Sequence, residues 1–173
     1  TLIEYAIEAL VANGIKKLII VVGYKSNVLV DFISSKFNQS NLNGMEIQYI
    51  ENTVYDKTNN IYSLYLACNE LVKDDTILLE SDLIFDKNII KSLIESKEQN
   101  LAVVSHFESW MDGTCTLLDE NNNITGILDK STFKWNETEN YYKTVNIYKF
   151  SSEFSKKYYV PFLEAYQKAF GIF

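Results

Sequence analysis

The sequence predicts an α/β fold: a mostly parallel sheet with helices on both faces and antiparallel strands added in the last third. Three observations carry this. Residues 1–105 alternate helix-like and strand-like patterns at short spacing, as βαβ units do. After residue 110 the pattern changes to three strand-like segments, the first two joined by a short polar turn. The 173 residues include Pro 1 and no low-complexity tract, so residues 1–173 read as one domain without a linker.

The elements follow in order. Leu2, Ile3, Ala6, Ile7, Leu10 and Val11 recur at helical spacing, so 1–12 is an amphipathic helix stopped by Asn13-Gly14. Lys17 to Val22 is an apolar strand ended by Gly23-Tyr24. Ser26 is placed to cap a helix over 27–37, and 38–44 is a polar loop. A strand over 45–50 is followed by a helix over 60–72 with Ile61, Leu64, Tyr65, Cys68 and Leu71 on one stripe. Thr76 to Leu79 is a buried strand, Asp86 caps a helix running to Glu95, and 101–105 is a strand. Residues 114–118 and 124–128 form a hairpin around Asp119-Glu120-Asn121-Asn122-Asn123. A strand over 142–148 precedes a last helix from Ser151 to Ala169, interrupted near Pro161.

Composition narrows the chemistry. Lys+Arg 16 against Asp+Glu 23 gives −7, and every basic residue is Lys. A nucleic-acid partner wants a basic face, so this balance argues against one, but not against a nucleotide. Cys68 and Cys115 are too few for a disulfide framework and read as buried free thiols. His106 is the sole histidine, which excludes His-based metal sites and His pairs; it reads as a strand-end residue. No apolar run reaches membrane-spanning length, so no membrane insertion is expected. Tyr 12 and Phe 10 are enough aromatics to line a site as well as fill a core.

Two segments carry functional signal. Glu80 and Asp82 arrive where the apolar strand 76–79 ends. The carboxyl end of a parallel strand lies where open α/β sheets bind ligands, and a carboxylate there meets either solvent or a cation. Magnesium suits it, because it takes one or two carboxylates and leaves positions for phosphate oxygens. Upstream, Thr58, Asn59 and Asn60 stand at the start of the helix over 60–72. One of them suffices as a cap; the surplus amides and hydroxyl could read a nucleobase edge.

The run Tyr55-x-x-Thr58-Asn59-Asn60-Ile61-Tyr62-Ser63-Leu64, followed by Leu79-Glu80-Ser81-Asp82-Leu83-Ile84-Phe85-Asp86, resembles the sugar-phosphate nucleotidyltransferase superfamily. It is most similar to the branch of choline-phosphate and 2-aminoethylphosphonate cytidylyltransferases. Leu2-Ile3-Glu4-Tyr5, Ile19 to Tyr24 and Lys143 to Phe150 extend the resemblance over nearly the whole chain. It implies a Rossmann-like sheet of the nucleotide-diphospho-sugar transferase kind. It also implies transfer of CMP from CTP, or another nucleotide triphosphate, to a small phosphorylated or phosphonate acceptor, with Mg2+ as cofactor.

On that resemblance Asp82 is a catalytic and metal residue, and Thr58, Asn59, Asn60, Ser63 and Glu80 face the nucleotide. Lys143 is catalytic, approaching the acceptor phosphate as a point charge; its plain alternative is an exposed lysine at a strand start. Trp110, Asp112, Tyr142 and Asn146 fall to the acceptor. An aromatic face would suit a quaternary ammonium and a carboxylate a primary amine, so the head group stays open. Trp135 reads as a loop or packing residue.

The family begins with a strand and a Gly-rich phosphate loop that these residues do not contain, and its second metal carboxylate would lie beyond Phe173. The resemblance therefore implies a chain truncated at its N-terminus and at its C-terminus, inactive alone, with a gap in its sheet. A cytoplasmic enzyme is expected, and an oligomer is compatible with the sequence. A glycosyltransferase using a nucleotide sugar, a non-catalytic nucleotide-binding domain, and a reading of both motifs as helix caps remain alternatives. CTP and UTP are not separated by an Asn amide.

Overall fold

The structure, a computed structural model, describes residues 1–170. Its elements run α1 (Leu2–Ala12), β1 (Lys17–Val22), α2 (Ser26–Lys36), β2 (Glu46–Glu51), α3 (Asn60–Leu66), α4 (Cys68–Leu71), β3 (Thr76–Leu79) and α5 (Asn88–Glu95). Then come β4 (Leu101–His106), β5 (Cys115–Leu118), β6 (Ile124–Leu128), a 3-10 turn (Trp135–Asn140), β7 (Tyr142–Phe150), α6 (Ser152–Phe154), a π-helical turn (Ser155–Tyr159) and α7 (Val160–Phe170).

The α/β class and its two kinds of sheet are as expected. β1 and β2 pair in parallel, Lys17 opposite Glu46 through Val22 opposite Glu51. The second sheet is built on β7, which is antiparallel to β3, β4 and β5. β3 and β4 therefore run parallel to each other with β7 inserted between them. β5 and β6 make the expected hairpin, its turn held by the Asp119 carboxylate accepting from the Asn121 and Asn123 amides, with Asn122 at φ 61°. Among the described residues, the edge of β1 away from β2 and the edge of β3 away from β7 carry no strand.

One core joins the two sheets. Ile7 and Leu10 of α1, Ile33 of α2, Met45, Phe85, Ile90 and Leu93 of α5, and Ile147 of β7 are buried together. α5 packs one face of the β7 sheet, where the Lys149 ammonium reaches the Ser96 carbonyl at its end. Phe150 instead meets Phe154 and Tyr159 beyond the other face. Helices thus cover both faces, as expected.

Three local readings change. Ser26 does not cap α2: Lys25, at φ 49°, precedes the helix with no side-chain cap, and the Ser26 hydroxyl donates to Glu51 at 3.1 Å. The left-handed Lys25 turns the chain so sharply that Ser26 already lies inside the helix. The helix over 60–72 is two helices, α3 and α4, parted at Ala67. Asp86 does receive the Asn88 amide at 2.8 Å, but Lys87 occupies the formal cap position. The interruption near Pro161 is present, as the π-helical turn that ends just before α7. Proline has no N–H for the preceding turn, which loosens the ladder there.

Gly23, the residue after β1, lies against Tyr55 of the segment between β2 and α3. A Cβ on Gly23 would lie 2.7 Å from the Tyr55 Cβ. Gly23→Ala should therefore overpack this junction and cost about 1–3 kcal/mol. Gly126→Ala, whose Cβ would meet Leu117 at an ordinary 3.6 Å, is the control. Thermal melts compare the two; equal midpoints would show that Tyr55 does not lie against Gly23.

Glu70 of α4 accepts from Lys17 of β1 and from Lys73, each at 2.6 Å, and these two ammoniums hold its carboxyl below 4.5. A depressed folded-state value stabilises above the unfolded value and is lost as pH falls through the folded one. Glu70→Gln should thus lower the melting point slightly at pH 7 and no longer do so in acid. A difference that grows on acidification would contradict the pairing.

Candidate functional site

The first part of the site is built on Asn52, the residue after β2. Its own N–H continues the sheet, donating to the Val22 carbonyl at 2.7 Å. Its side chain is 3% exposed and fully engaged. The amide nitrogen donates to Thr58 Oγ1 at 3.1 Å and Ser63 Oγ at 3.2 Å, and the amide oxygen accepts from the Val54 N–H at 3.1 Å. The Thr58 hydroxyl in turn donates to the Val54 carbonyl at 3.0 Å. One buried amide thus ties the 53–58 loop to the first turn of α3. Asn59 caps that helix, its side-chain oxygen accepting from Ile61 and Tyr62. Asn60 is exposed.

Sequence reasoning grouped Thr58, Asn59, Asn60 and Ser63 as nucleotide-facing and missed Asn52. The hydroxyls of Thr58 and Ser63 are bonded inward to it. Asn59 and Asn60 keep exposed amide groups at the helix N-terminus.

The second part lies where β3 ends against β7. The Glu80 N–H reaches the Asn146 carbonyl at 3.4 Å, and the Asn146 amide donates to the Glu80 carboxylate at 2.8 Å. Asn146 sits at φ 58°, a left-handed conformation that Asn tolerates better than most residues. Tyr148 donates its hydroxyl to the Asn146 side-chain oxygen at 3.4 Å. Asp82, two residues past Glu80, is exposed. Lys143 enters β7 three residues before Asn146, and its ammonium donates to the Thr144 carbonyl.

The residues assigned to the acceptor are less united. Trp110 is 75% exposed, and its indole N–H donates to Glu108 at 2.8 Å, not to Asp112. Asp112 receives the Gly113 N–H at 2.8 Å. The Tyr142 ring lies 4.4 Å from His106, on the sheet face opposite Lys143. Trp135 does pack: it meets Phe107 and Phe133 edge-on, and Phe133 in turn meets the buried Tyr141.

The oxygen donors at the end of β3 suit a hard cation such as magnesium. Among the described residues no group of three or more His, Cys, Asp or Glu could hold a metal unaided. Glu80 and Asp82 are the carboxylates at that strand end, the first already accepting from the Asn146 amide. Burial pushes the Cys68 thiol up to about 11 and raises Cys115 as well, which disfavours the thiolate that a nucleophile needs. Cys115 is buried and Cys68 half-buried, as free thiols.

Two solved structures share the fold. A structure described as a glucose-1-phosphate thymidylyltransferase from Bacillus anthracis, in complex with a sucrose, superposes at TM-score 0.67 and 19% identity, covering 90% of this chain and 60% of that one. HddC from Yersinia pseudotuberculosis gives 0.59 at 16% identity, covering 90% and 65%. The chain belongs to the family described as a domain of unknown function, DUF6564, whose profile matches residues 1–168.

Curated relatives are cytidylyltransferases, the branch that the sequence resembles. The CTP:phosphoglutamine cytidylyltransferase of Campylobacter jejuni is 30% identical over 115 residues, 63% of this chain and 41% of that protein. The CMP-5'-(3-aminopropyl)phosphonate synthase of Streptomyces rubellomurinus is 24% identical over 164 residues, 94% of this chain and 25% of that protein. The choline-phosphate cytidylyltransferase of Streptococcus pneumoniae is 33% identical over 91 residues, 53% of this chain and 35% of that protein. The chain thus spans well under half the length of the curated relatives it matches. Among the described residues, no helix is long and apolar enough to cross a membrane.

Removing the Asn52 amide takes a donor from two half-buried hydroxyls, Thr58 and Ser63, and leaves the Val54 N–H without its acceptor. Asn52→Ala should cost about 1–3 kcal/mol. Asn52→Asp should also destabilise, because a carboxylate cannot donate and the Thr58 hydroxyl already donates to the Val54 carbonyl. Denaturant titration of both variants checks this; wild-type stability in Asn52→Ala would contradict the anchoring role.

Proposed function

We propose that this chain is the nucleotide- and acceptor-binding part of a nucleotidyltransferase that moves CMP from CTP onto a small phosphorylated or phosphonate acceptor. The observation that carries the reading is the similarity to relatives named for cytidylyl chemistry, one of them spanning 94% of the chain. The names of those relatives pair a cytidine nucleotide with a phosphorus-bearing small molecule. The oxygen and amide groups at the end of β3 support it by their chemistry.

In this reading a phosphate or phosphonate oxygen of the acceptor attacks the α-phosphorus of CTP in line. The new P–O bond forms as the bond to the oxygen bridging the α- and β-phosphorus breaks, and pyrophosphate departs. Positioning and charge neutralisation carry the rate. Asn59 and Asn60 offer amides to the base and ribose, while Thr58 and Ser63 hold the loop in shape through Asn52. Asp82 and Glu80 would hold magnesium, which supplies charge neutralisation to the phosphates. Lys143 draws in the acceptor oxyanion, and Asn146 orients Glu80. Trp110 and Asp112 border the acceptor side, whereas Tyr142 lies on the other face of the sheet from Lys143. The reading puts the enzyme in the cytoplasm, with its nucleotide substrate.

The test is pyrophosphate release by the full gene product supplied with CTP and magnesium. Choline phosphate, 2-aminoethylphosphonate and 3-aminopropylphosphonate serve as acceptors. Release should require one of them and fall on the order of a hundredfold in Asp82→Ala. A folded protein that releases none with any acceptor, or an unaffected Asp82→Ala, would sink the reading in favour of a non-catalytic nucleotide-binding domain or a glycosyltransferase.

A further inference from the structure

Lys143 is the lysine that enters the candidate site on β7, and something must fix its direction. A four-carbon stem is flexible, and an ammonium left free gains little from a single anion. Its ladder neighbours are Ser105 on β4 and Cys115 on β5, directly opposite it and therefore on the same face. The ammonium folds back to the Thr144 carbonyl of its own strand. Directly against it lies Gly113, at the end of the loop that follows β4. A Cβ on Gly113 would stand 3.1 Å from Lys143 Cε and 3.2 Å from Nζ.

Gly113 also has φ 103°, a backbone region that residues with side chains rarely adopt. Two independent demands therefore meet at one position: a backbone turn and a missing side chain. Nor can the loop back away. The Thr114 carbonyl accepts both the Thr144 N–H at 3.2 Å and the Thr144 hydroxyl at 3.3 Å. On the other side the Asp112 carboxylate holds the Gly113 N–H. The loop is clamped to β7 at Thr114, the residue after Gly113, while the Asp112 carboxylate fixes the Gly113 N–H within the loop, and the lysine stem passes beneath it.

We propose that Gly113 is the positioning residue for Lys143. By lacking a side chain it lets the 107–114 loop close on the lysine and holds the ammonium at the amino end of β7, where the acceptor's anionic oxygen binds. This rests on the transferase reading given above. It makes the loop part of the acceptor site through contact with Lys143, independently of Trp110 or Asp112 touching the ligand.

The test is a double-mutant cycle in the pyrophosphate-release assay. Gly113→Ala should raise the acceptor KM on the order of tenfold and leave the CTP KM unchanged. Lys143→Met should do the same, and the double variant should be no worse than Lys143→Met alone. A Gly113→Ala effect of equal size in both backgrounds would overturn the proposal, since loop strain alone would then explain it. So would an unchanged acceptor KM.

If Gly113→Ala does not fold, Thr144→Val, which removes one clamp bond, takes its place. It should raise the acceptor KM in the Lys143 background and not in Lys143→Met. A parent enzyme with no turnover would defeat the transferase reading instead. The positional claim is then decided by the 13Cε resonance of Lys143 in Gly113→Ala, or in Thr144→Val where Gly113→Ala does not fold. A shifted resonance supports the contact, and an unmoved one overturns it.

Discussion

β7 is the constraint on which the second sheet depends. A single nine-residue strand receives β3, β4 and β5. It does so by bending: between the pairs Ala102–Tyr148 and Val104–Thr144, β7 advances four residues while β4 advances two. Extra residues of this kind twist a strand and re-aim its side chains. Asn146 sits in the middle of the irregularity, left-handed, with its amide on Glu80. β7 serves β3 with its last four residues and β5 with its first two, on either side of that irregularity. The same bend brings Asn146 to the carboxyl end of β3 and sets Lys143 just ahead of it.

The electrostatics are local rather than global. The chain carries −7, which on its own repels phosphates. Anions can still be held where a lysine or oriented amides face them, and the candidate site offers both kinds of group. Lys143 is half-buried, and Asn59 and Asn60 stand at the N-terminus of α3. Neither part is strong alone.

Legibility in the sequence followed the range of the interactions. The repeated apolar residues of α1 lie within three turns, and the Asp119–Asn123 turn closes within five residues, so both were readable. The pairing of Glu80 with Asn146 spans 66 positions and left no local mark. Asn52 could have been suspected as a polar residue ending an apolar strand. Its partners stand 6 and 11 residues on, across a turn whose shape no periodicity encodes. The Ser26 cap failed because the left-handed conformation falls on Lys25, a residue type that gives no warning of it. The two motifs singled out, Thr58 to Ser63 and Glu80 to Asp82, do mark polar strand and helix ends. What the sequence could not show is that two of those side chains, Thr58 and Ser63, are bonded inward to Asn52.

Under the proposed function, one nucleotide spans the Asn52 loop and the end of β3. Amide hydrogen exchange with and without CTP and magnesium tests it most directly. The account predicts slowed exchange in residues 53–63 and 80–83 on nucleotide binding, with α7 unchanged. Protection confined to α7 or to the outer face of α2, or none at saturating nucleotide, would contradict it.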